Sequence, residues 1–434
     1  MRFRVLFSIF VAALTASSVA KADVYRIIDS NEEALQVRVD MIQQARSEII
    51  MVYYAFAQDA TSYQILSLLR EARERRGVSI YLLIDAMNSE LPKSVRAVLQ
   101  AAGIQVAFYN RTNDAEGVAM ISHRMHDKYL ITDAKHLLMG GRNMKDAYFG
   151  FGDENFSDRD VYIEGGASYV ARHYFINRWN SQRVKRAPYA VTKKHVRQAD
   201  EALDQAFVSL SSHPFVKLDT GYDWGSIGHT NSVVEFIHDP VKGESSAARE
   251  ISSADAFFEA IESATQTLHI ESPYVVPTPR LWKALKKLRS RGVSIRILTN
   301  SAISGDTVIA QAAYQNSKKR LLKMGIELWE FEVEDVTLHS KSFVVDGFKS
   351  VIGSYNLDPR SQNINTETLS IVDDPLIAQE LEKSMQGKLA FARQIQKNGK
   401  PTGSSTKFPG LSPGKKIAFR IWQYTLSVLL RSLI

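Results

Sequence analysis

The chain has 434 residues and contains no cysteine. It therefore forms no disulfide, builds no metal site on thiolates and carries no lipoprotein anchor. Long apolar runs are also scarce, since the one near the N terminus extends only from Val5 to Leu14, which is short for a membrane span. The composition is globular, with 45% hydrophobic and 23% charged residues, and the length suits two domains better than one core.

The N-terminal segment 1–22 has the order of a secretory signal. Arg2 and Arg4 precede the apolar run, and an A-x-A sequence follows at 20–22. The alternative is an uncleaved membrane anchor. Removal of the segment, which includes Lys21 and no acid, lowers the formal net charge from +7 to +4. We expect a mildly basic periplasmic protein, a charge that suits anionic lipid headgroups as well as nucleic acid.

An H-x-K-x4-D pattern occurs twice, about two hundred residues apart. An asparagine follows the histidine by 17 residues in both copies, and Gly-Gly or Gly-Ser precedes that asparagine at matching offsets. One H-x-K would be chance in a chain of this length, whereas two copies that agree at six offsets indicate a duplicated site. The first copy has His126, Lys128, Asp133 and Asn143, and the second has His339, Lys341, Asp346 and Asn356.

The spacing of the motif has a chemical meaning. Residues two apart on a strand share a face, and the β-branched and aromatic KYLITD and KSFVVD sequences predict strands. Two copies brought together would gather two imidazoles, two ammonium groups and two amides. Such a set suits a phosphodiester: lysines and asparagines hold the oxygens, one histidine attacks phosphorus, and the other transfers protons. Because these donors supply the positive charge, we expect neither a metal nor a cofactor.

Acidic residues near the motifs are candidates for orienting the imidazoles. We expect Glu367 to orient the second histidine and Asp160 to orient the first; alternatively, either acid has no catalytic role. The motif aspartates, Asp133 and Asp346, lie seven residues after each histidine and are predicted to point elsewhere, in structural roles. Ser361 is either part of the site or a simple turn residue.

These residues resemble the phospholipase D superfamily, and within it the bacterial C-type cardiolipin synthases. The resemblance covers nearly all of the chain after the signal, and implies ping-pong phosphatidyl transfer through a phosphohistidine. It also implies His126 as the nucleophile and His339 as the acid and base. Asp127 is a small departure that is not expected to stop catalysis. The matching phrases are RMHDKYLITD, GGRNMKDAYF, ESPYVVP, TNSAISGD, LLKMGIELWE, LHSKSFVVD and GSYNLDPRSQNINTE.

Alternating strand and helix patterns predict an α/β fold. We expect two homologous phospholipase D-like halves, 23–190 and 231–395, each a mostly parallel sheet flanked by helices and both sharing one active site. The related phrases ERRGVSIYLLID and RSRGVSIRILTN extend the duplication beyond the motifs. Residues 191–230 are predicted to link the halves. Residues 396–434 form a Pro/Gly/Ser-rich linker and an apolar C-terminal helix, which lies either on a membrane surface or on the catalytic body.

The preferred function is phosphatidyl transfer between phospholipids, giving cardiolipin at the periplasmic face of a membrane. The alternatives are a hydrolytic phospholipase D, a metal-independent nuclease of the same fold, and a membrane-binding protein that has lost activity. The modest net charge and the apolar tail disfavour a nuclease, since a nucleic-acid groove needs a denser stripe of Lys and Arg. The expected partners are phospholipids and a membrane surface; an accessory protein is left open.

Overall fold

The computed structural model describes residues 22–110, 123–186, 191–240 and 251–404. The predicted secretory signal, apart from its last residue, and the apolar C-terminal stretch at 417–434 lie outside these ranges. No helix within them has the length and hydropathy needed to cross a membrane.

The described residues form ten α-helices, whose positions follow the predicted alternation with strands. The second of them illustrates the local signals: the Asp59 side chain accepts the Ser62 N–H at its start, and Gly77 ends it with a φ of 71°. The helices are α1 (Asn31–Gln44), α2 (Ala60–Arg76), α3 (Lys93–Ala101), α4 (Gly166–Trp179), α5 (Lys193–Ser211), α6 (Ser253–Glu262), α7 (Pro279–Ser290), α8 (Val308–Lys323), α9 (Pro359–Asn363) and α10 (Pro375–Leu389).

Nineteen β-strands lie within the same ranges. Those of the first half and the crossover are β1 (Asp23–Ile28), β2 (Glu48–Tyr53), β3 (Ser79–Asp85), β4 (Gln105–Tyr109), β5 (Tyr129–Thr132), β6 (His136–Gly140), β7 (Asn155–Ser157), β8 (Asp160–Glu164), β9 (Val184–Lys185) and β10 (His229–Ser232). Those of the second half are β11 (Val234–His238), β12 (Thr267–Glu271), β13 (Ser294–Asn300), β14 (Glu327–Phe331), β15 (Val336–Leu338), β16 (Ser342–Val345), β17 (Lys349–Gly353), β18 (Thr368–Asp373) and β19 (Ala392–Gln394).

Two large sheets repeat one topology. The first has the order β10-β1-β8-β6-β5-β2-β3-β4-β9, and the second has the order β11-β18-β17-β16-β12-β13-β14-β19. The central strands β2-β3-β4 correspond to β12-β13-β14, and both sets run parallel. The strands after each motif also correspond, since β5-β6-β8 and β16-β17-β18 are antiparallel sets. The α/β class and the duplication are therefore confirmed.

The expectation of mostly parallel sheets is wrong, because both sheets are mixed. Each sheet has only two parallel pairs among its described strands, and its remaining pairs are antiparallel. The cause is local: a short turn joins β5 to β6 and another joins β16 to β17. A short turn can join only antiparallel neighbours, because a parallel pair needs a long crossover connection.

The segment predicted to link the halves packs largely on the first half. It contains helix α5, which covers α2, with Leu203 and Leu210 fully buried. Arg70 of α2 donates a 2.6 Å hydrogen bond to Asp200 of α5. Strand β10 then joins the first sheet beside β1, so the chain passes to the second half between β10 and β11.

Each half has its own apolar core, and a third apolar cluster joins the halves. This third cluster includes Val52 and Ile163 of the first sheet with Val344 and Ile352 of the second, all of them buried. Helices α4 and α10 pack between the sheets, and each contacts strands of both halves. Burial of this layer fixes the two sheets face to face, which brings the two motifs together.

Candidate active site

Both H-x-K motifs lie in extended segments that lead directly into strands, β5 in the first half and β16 in the second. The histidine and lysine of each motif project into one shared polar site. All four side chains are buried, with relative exposures of 7% and 1% for His126 and Lys128, and 5% and 4% for His339 and Lys341. The intervening residue of each motif points to the opposite face, as the strand alternation requires.

Each histidine is held by an acid from the other half. His126 Nδ1 lies 2.8 Å from Glu367 Oε2, and His339 Nδ1 lies 2.5 Å from Asp158 Oδ2. We name these pairs the first dyad (His126 and Glu367) and the second dyad (His339 and Asp158). The predicted pairing, which assigned Glu367 to His339 and Asp160 to His126, is therefore wrong.

Backbone hydrogen bonds between the halves produce this exchange. Strand β7 pairs in parallel with β15, and His339 N–H donates to Ser157 O at 2.8 Å, which brings the following residue, the acid, beside the ring. The first dyad is built in the same way. His126 N–H donates to Thr366 O at 3.0 Å, and Thr366 N–H donates to Arg124 O at 2.9 Å. In both dyads the backbone N–H of the histidine donates a hydrogen bond to the carbonyl oxygen of the residue before its acid.

Asp160 serves the fold instead of the chemistry. Its carboxylate lies 2.9 Å from Arg38 Nη2 and 3.3 Å from Arg142 Nη1, and all three side chains are buried. Buried charges of this kind need partners, because an unpaired charge in the interior is costly. Asp160 is thus part of an ion cluster inside the first half.

A comparison of the two copies could have identified the missed acid. Gly141 N–H donates to Arg159 O, and Ser354 N–H donates to Thr368 O, so these two pairs occupy equivalent places. The residue before each acceptor is the dyad acid. In the sequence the same alignment sets SDRDVYIE against TETLSIVD, which makes Asp158 the counterpart of Glu367.

The motif aspartates lie away from the dyads, as predicted. Asp133 accepts the backbone N–H groups of Arg46, Ser47 and Glu48 at 2.8, 2.7 and 3.0 Å. Asp346 accepts the backbone N–H groups of the segment 265–267 in the same manner. Each aspartate therefore fixes the start of a central strand, β2 or β12, against the turn that follows the motif strand.

The two motif asparagines differ in their contacts. Asn143 is held on both sides, because Oδ1 accepts Ala55 N–H at 3.2 Å and Nδ2 donates to the Tyr148 hydroxyl at 2.9 Å. Asn356 is 5% exposed, and its Oδ1 has no hydrogen-bond partner among the described residues. A buried amide oxygen without a partner is costly, so a ligand hydroxyl or ammonium group has a ready acceptor there.

Ser361 belongs to the site and is more than a turn residue. Its hydroxyl accepts Asn356 N–H at 3.1 Å and donates to Glu367 Oε1 at 2.7 Å. Ser354 also donates to this carboxylate, through Oε2. The acid of the first dyad is therefore fixed by two hydroxyl groups of its own half before it reaches His126.

Aromatic rings enclose both histidines. The Tyr54 ring lies 4.7 Å from the His126 ring, and Tyr148 and Phe156 lie 5.3 and 5.2 Å from the His339 ring, between centroids. All three contacts are edge-on. Such walls keep the local dielectric constant low, which strengthens every charge interaction at the reacting centre.

Residues at the ends of strands β3 and β13 hold the two motif segments in place. Asp85, at the end of β3, accepts Met125 N–H at 3.0 Å, and Asn300, at the end of β13, accepts Leu338 N–H at 2.8 Å. Each therefore fixes the residue before a motif histidine. The Tyr274 hydroxyl, in contrast, donates to the carboxylate of Asp306 in the loop after β13, at 2.8 Å.

Burial and neighbouring charges alter the protonation of the basic groups. Burial, with the charges of Lys128 and Lys341, lowers the pKa of His126 well below its usual value. Burial and Lys341 also lower the pKa of His339. Burial lowers the pKa of Lys128 to about 7 and the pKa of Lys341 to about 8. Both imidazoles are therefore neutral at pH 7.

The two acids differ in charge. Burial raises the pKa of Glu367 to about 8, although Lys128 opposes this rise. Burial also disfavours ionisation of Asp158, but the charges of Lys341 and His339 prevail and hold its pKa below its usual range. At neutral pH the first dyad therefore retains a proton that the second dyad has lost.

Among the described residues, no group of three or more His, Asp or Glu side chains is arranged to hold a metal ion.

The sequence matches the protein family described as cardiolipin synthase, PLD-like domain, over residues 39–160 and 257–389. It is 28% identical over 393 residues to cardiolipin synthase C of Escherichia coli (strain K12), covering 82% of each chain. It is 26% identical over 378 residues to cardiolipin synthase A of Pseudomonas entomophila (strain L48), covering 87% of this chain and 70% of the relative.

Among solved structures, the phosphatidylserine synthase of Haemophilus influenzae Rd KW20 superposes with a TM-score of 0.67 at 14% identity. The superposition covers 95% of this chain and 97% of that protein, so the two share the fold of two similar halves. Fold and paired dyads together define a phospholipase D-type enzyme. Because the family match spans more than half of the sequence and includes both motifs, the chain belongs to the cardiolipin synthase, PLD-like domain family.

Proposed function

We propose that the enzyme transfers a phosphatidyl group between phospholipids and forms cardiolipin through a phosphohistidine intermediate. One observation carries the proposal: two buried histidines face one site, each on an acid from the opposite half, with a lysine from each motif beside them. The similarity to cardiolipin synthases C and A supports phosphatidyl transfer as the reaction class and cardiolipin as the product.

Two displacements at phosphorus complete the proposed cycle. The anionic phosphodiester favours a proton on His339, which is neutral in the free enzyme. His126 Nε2 then attacks phosphorus of the donor lipid, the bond to the headgroup oxygen breaks, and protonated His339 gives that oxygen its proton and becomes neutral. His339 then takes a proton from the hydroxyl group of the acceptor lipid, whose oxygen attacks phosphorus and releases His126. Asp158 stabilises the imidazolium form of His339, which precedes the first displacement and is restored by the second, as an ionised partner on Nδ1 does.

The role of nucleophile is assigned to His126 from the resemblance to the superfamily and from its contacts. Within the described residues, no hydrogen-bond donor lies on His126 Nε2, whereas Lys341 Nζ lies 3.0 Å from His339 Nε2.

Positive charge for the transition state comes from the motif side chains. Lys128 and Lys341 are proposed to bind the nonbridging oxygens, with the amide groups of Asn143 and Asn356 completing the set. These donors become more effective in a site enclosed by aromatic rings, because water competes less there. The enzyme is proposed to work on this set without a divalent ion.

The site of action is proposed to be the periplasmic face of a membrane. The support is the sequence alone: the order of charged and apolar residues at 1–22 and the apolar stretch at 417–434. Apart from Ala22, both segments lie outside the described residues. A peripheral location would let the enzyme draw its donor and its acceptor from the same lipid surface.

The test is incubation with liposomes that contain labelled phosphatidylglycerol and a second phospholipid, followed by lipid analysis. Formation of cardiolipin supports the proposal, and phosphatidic acid as the sole product would indicate a hydrolase. Cleavage of DNA without lipid turnover would indicate a nuclease, and liposome binding without any turnover would indicate an inactive protein. The His126→Ala protein is the matched control, because it removes the imidazole and leaves the surface unchanged.

A further inference from the structure

A buried polar cluster lies directly behind the first dyad. Asp127, the residue between the histidine and lysine of the first motif, is 0% exposed and points away from the reacting centre. It accepts hydrogen bonds from the Tyr174 hydroxyl at 2.7 Å and from the Thr366 hydroxyl at 3.0 Å. Arg178 also donates to the Thr366 hydroxyl, at 3.1 Å, and its Nε lies 3.7 Å from the Asp127 carboxylate.

This cluster touches both members of the dyad through their chain neighbours. Asp127 follows His126, and Thr366 precedes Glu367. The hydrogen bond between Asp127 and Thr366 therefore runs beside the backbone bond from His126 N–H to Thr366 O. Two adjacent hydrogen bonds, one between backbone groups and one between side chains, thus set the distance between the segment that carries Glu367 and the segment that carries His126.

The second dyad has a comparable cluster made from different residues. Ser340, the residue between the motif histidine and lysine, donates to Glu271 at 2.8 Å. Arg159, the residue after the dyad acid, donates to the same carboxylate at 2.7 Å, and Lys388 lies 3.3 Å from it. Both halves therefore join a motif neighbour to a buried arginine and carboxylate, although the residues are not equivalent.

We propose that Asp127 and Arg178 are positioning residues for the proposed reaction, acting through the Thr366 hydroxyl to hold Glu367 on His126. Fold stability alone is a weak reason for such a cluster, because packed apolar residues often replace a buried ion pair at no cost in stability. The Thr366 hydroxyl lies only one residue from Glu367, so the cluster is placed to hold this acid against His126. This assigns a role to Asp127, at which the first motif departs from the family pattern.

Thr366→Val tests the proposal, because valine keeps the shape of the side chain and loses only the hydroxyl. We expect kcat on a soluble nitrophenyl phosphodiester to fall about tenfold, the usual effect of one buried hydrogen bond to a charged group, with KM within about twofold of wild type. Thr366→Ser restores the hydroxyl and should return kcat to within about twofold. Asp127→Asn is the second variant, and it should lower kcat in the same way.

Glu330→Gln is the control, since it breaks a buried ion pair with Lys318 that lies outside both dyads. It should lower the melting temperature and leave kcat unchanged. Wild-type kcat in folded Thr366→Val or Asp127→Asn protein would overturn the proposal, as would an equal loss in Thr366→Ser and Thr366→Val. The substrate needs no lipid, so a wrong assignment of the lipid product would appear only in the liposome assay.

Discussion

Asp158 and Asp160 stand two residues apart, are equally buried at 1% exposure, and should respond differently to the same substitution. Asp158→Asn replaces the ionised partner of His339 by a neutral amide. A hydrogen bond to a charged group is worth about 1.5–3 kcal/mol, and about 1.4 kcal/mol corresponds to a tenfold change in rate. We therefore expect kcat to fall by about 10- to 100-fold, with KM nearly unchanged.

Asp160→Asn removes the charge that pairs with Arg38 and Arg142. Breaking a buried ion pair from one side costs about 3–5 kcal/mol. The lower end applies here, because Arg142 keeps its hydrogen bonds to the carbonyl groups of Ile28 and Tyr148. We expect the free energy of unfolding to fall by about 3 kcal/mol, and the kcat of the folded protein to stay within about threefold of wild type.

The assay is turnover of a soluble short-chain phospholipid, whose leaving group needs a proton, together with urea unfolding of each variant. Its outcome separates the dyad acid from the structural acid. If Asp160→Asn lost activity at full stability while Asp158→Asn turned over normally, the exchange of acids between the halves would be refuted. The assignment of Asp160 to His126 that the sequence predicted would then stand.

Four further outcomes are expected. His126→Ala and His339→Ala should both abolish transfer between lipids, but only His339→Ala should still accumulate a covalent adduct from a nitrophenyl phosphodiester. If mass spectrometry finds the adduct on His339 of the wild-type enzyme, the assignment of His126 as the nucleophile is reversed. The value of kcat/KM should fall as pH rises through about 7 to 8, because Lys128 and Lys341 are charged only below pKa values of about 7 and 8. A bound phosphodiester favours the charged lysines, so kcat should fall only at a higher pH than kcat/KM does. If kcat and kcat/KM fell at the same pH, this would count against phosphate binding by these lysines. Deletion of residues 417–434 should weaken sedimentation with liposomes more than turnover of the short-chain substrate, and undiminished liposome binding would end the anchor hypothesis. Activity should survive dialysis against EDTA, whereas loss that a divalent ion restores would contradict the proposed charge supply.

The sequence by itself determined which side chains can do the chemistry. The H-x-K spacing predicts that histidine and lysine share a face, because alternation along an extended chain is a local property. The repeated offsets then identified Asn143 and Asn356 as members of the same set. The motif aspartates could also be set aside from the sequence, since seven residues along a strand and turn direct them away from the histidine.

Tertiary structure decided which acid serves which histidine. His339 and Asp158 are 181 residues apart, and His126 and Glu367 are 241 residues apart, so no local pattern connects them. Their pairing depends on how the two sheets meet, which burial of the apolar layer between the halves sets. Outside the pairs that short turns join, β5 with β6 and β16 with β17, the direction of the strands was decided in the same way, because the pairing of each strand depends on the neighbours that packing supplies. For this reason Asp160 resembled a catalytic acid in the sequence, whereas Asp158 is the residue that reaches across to His339.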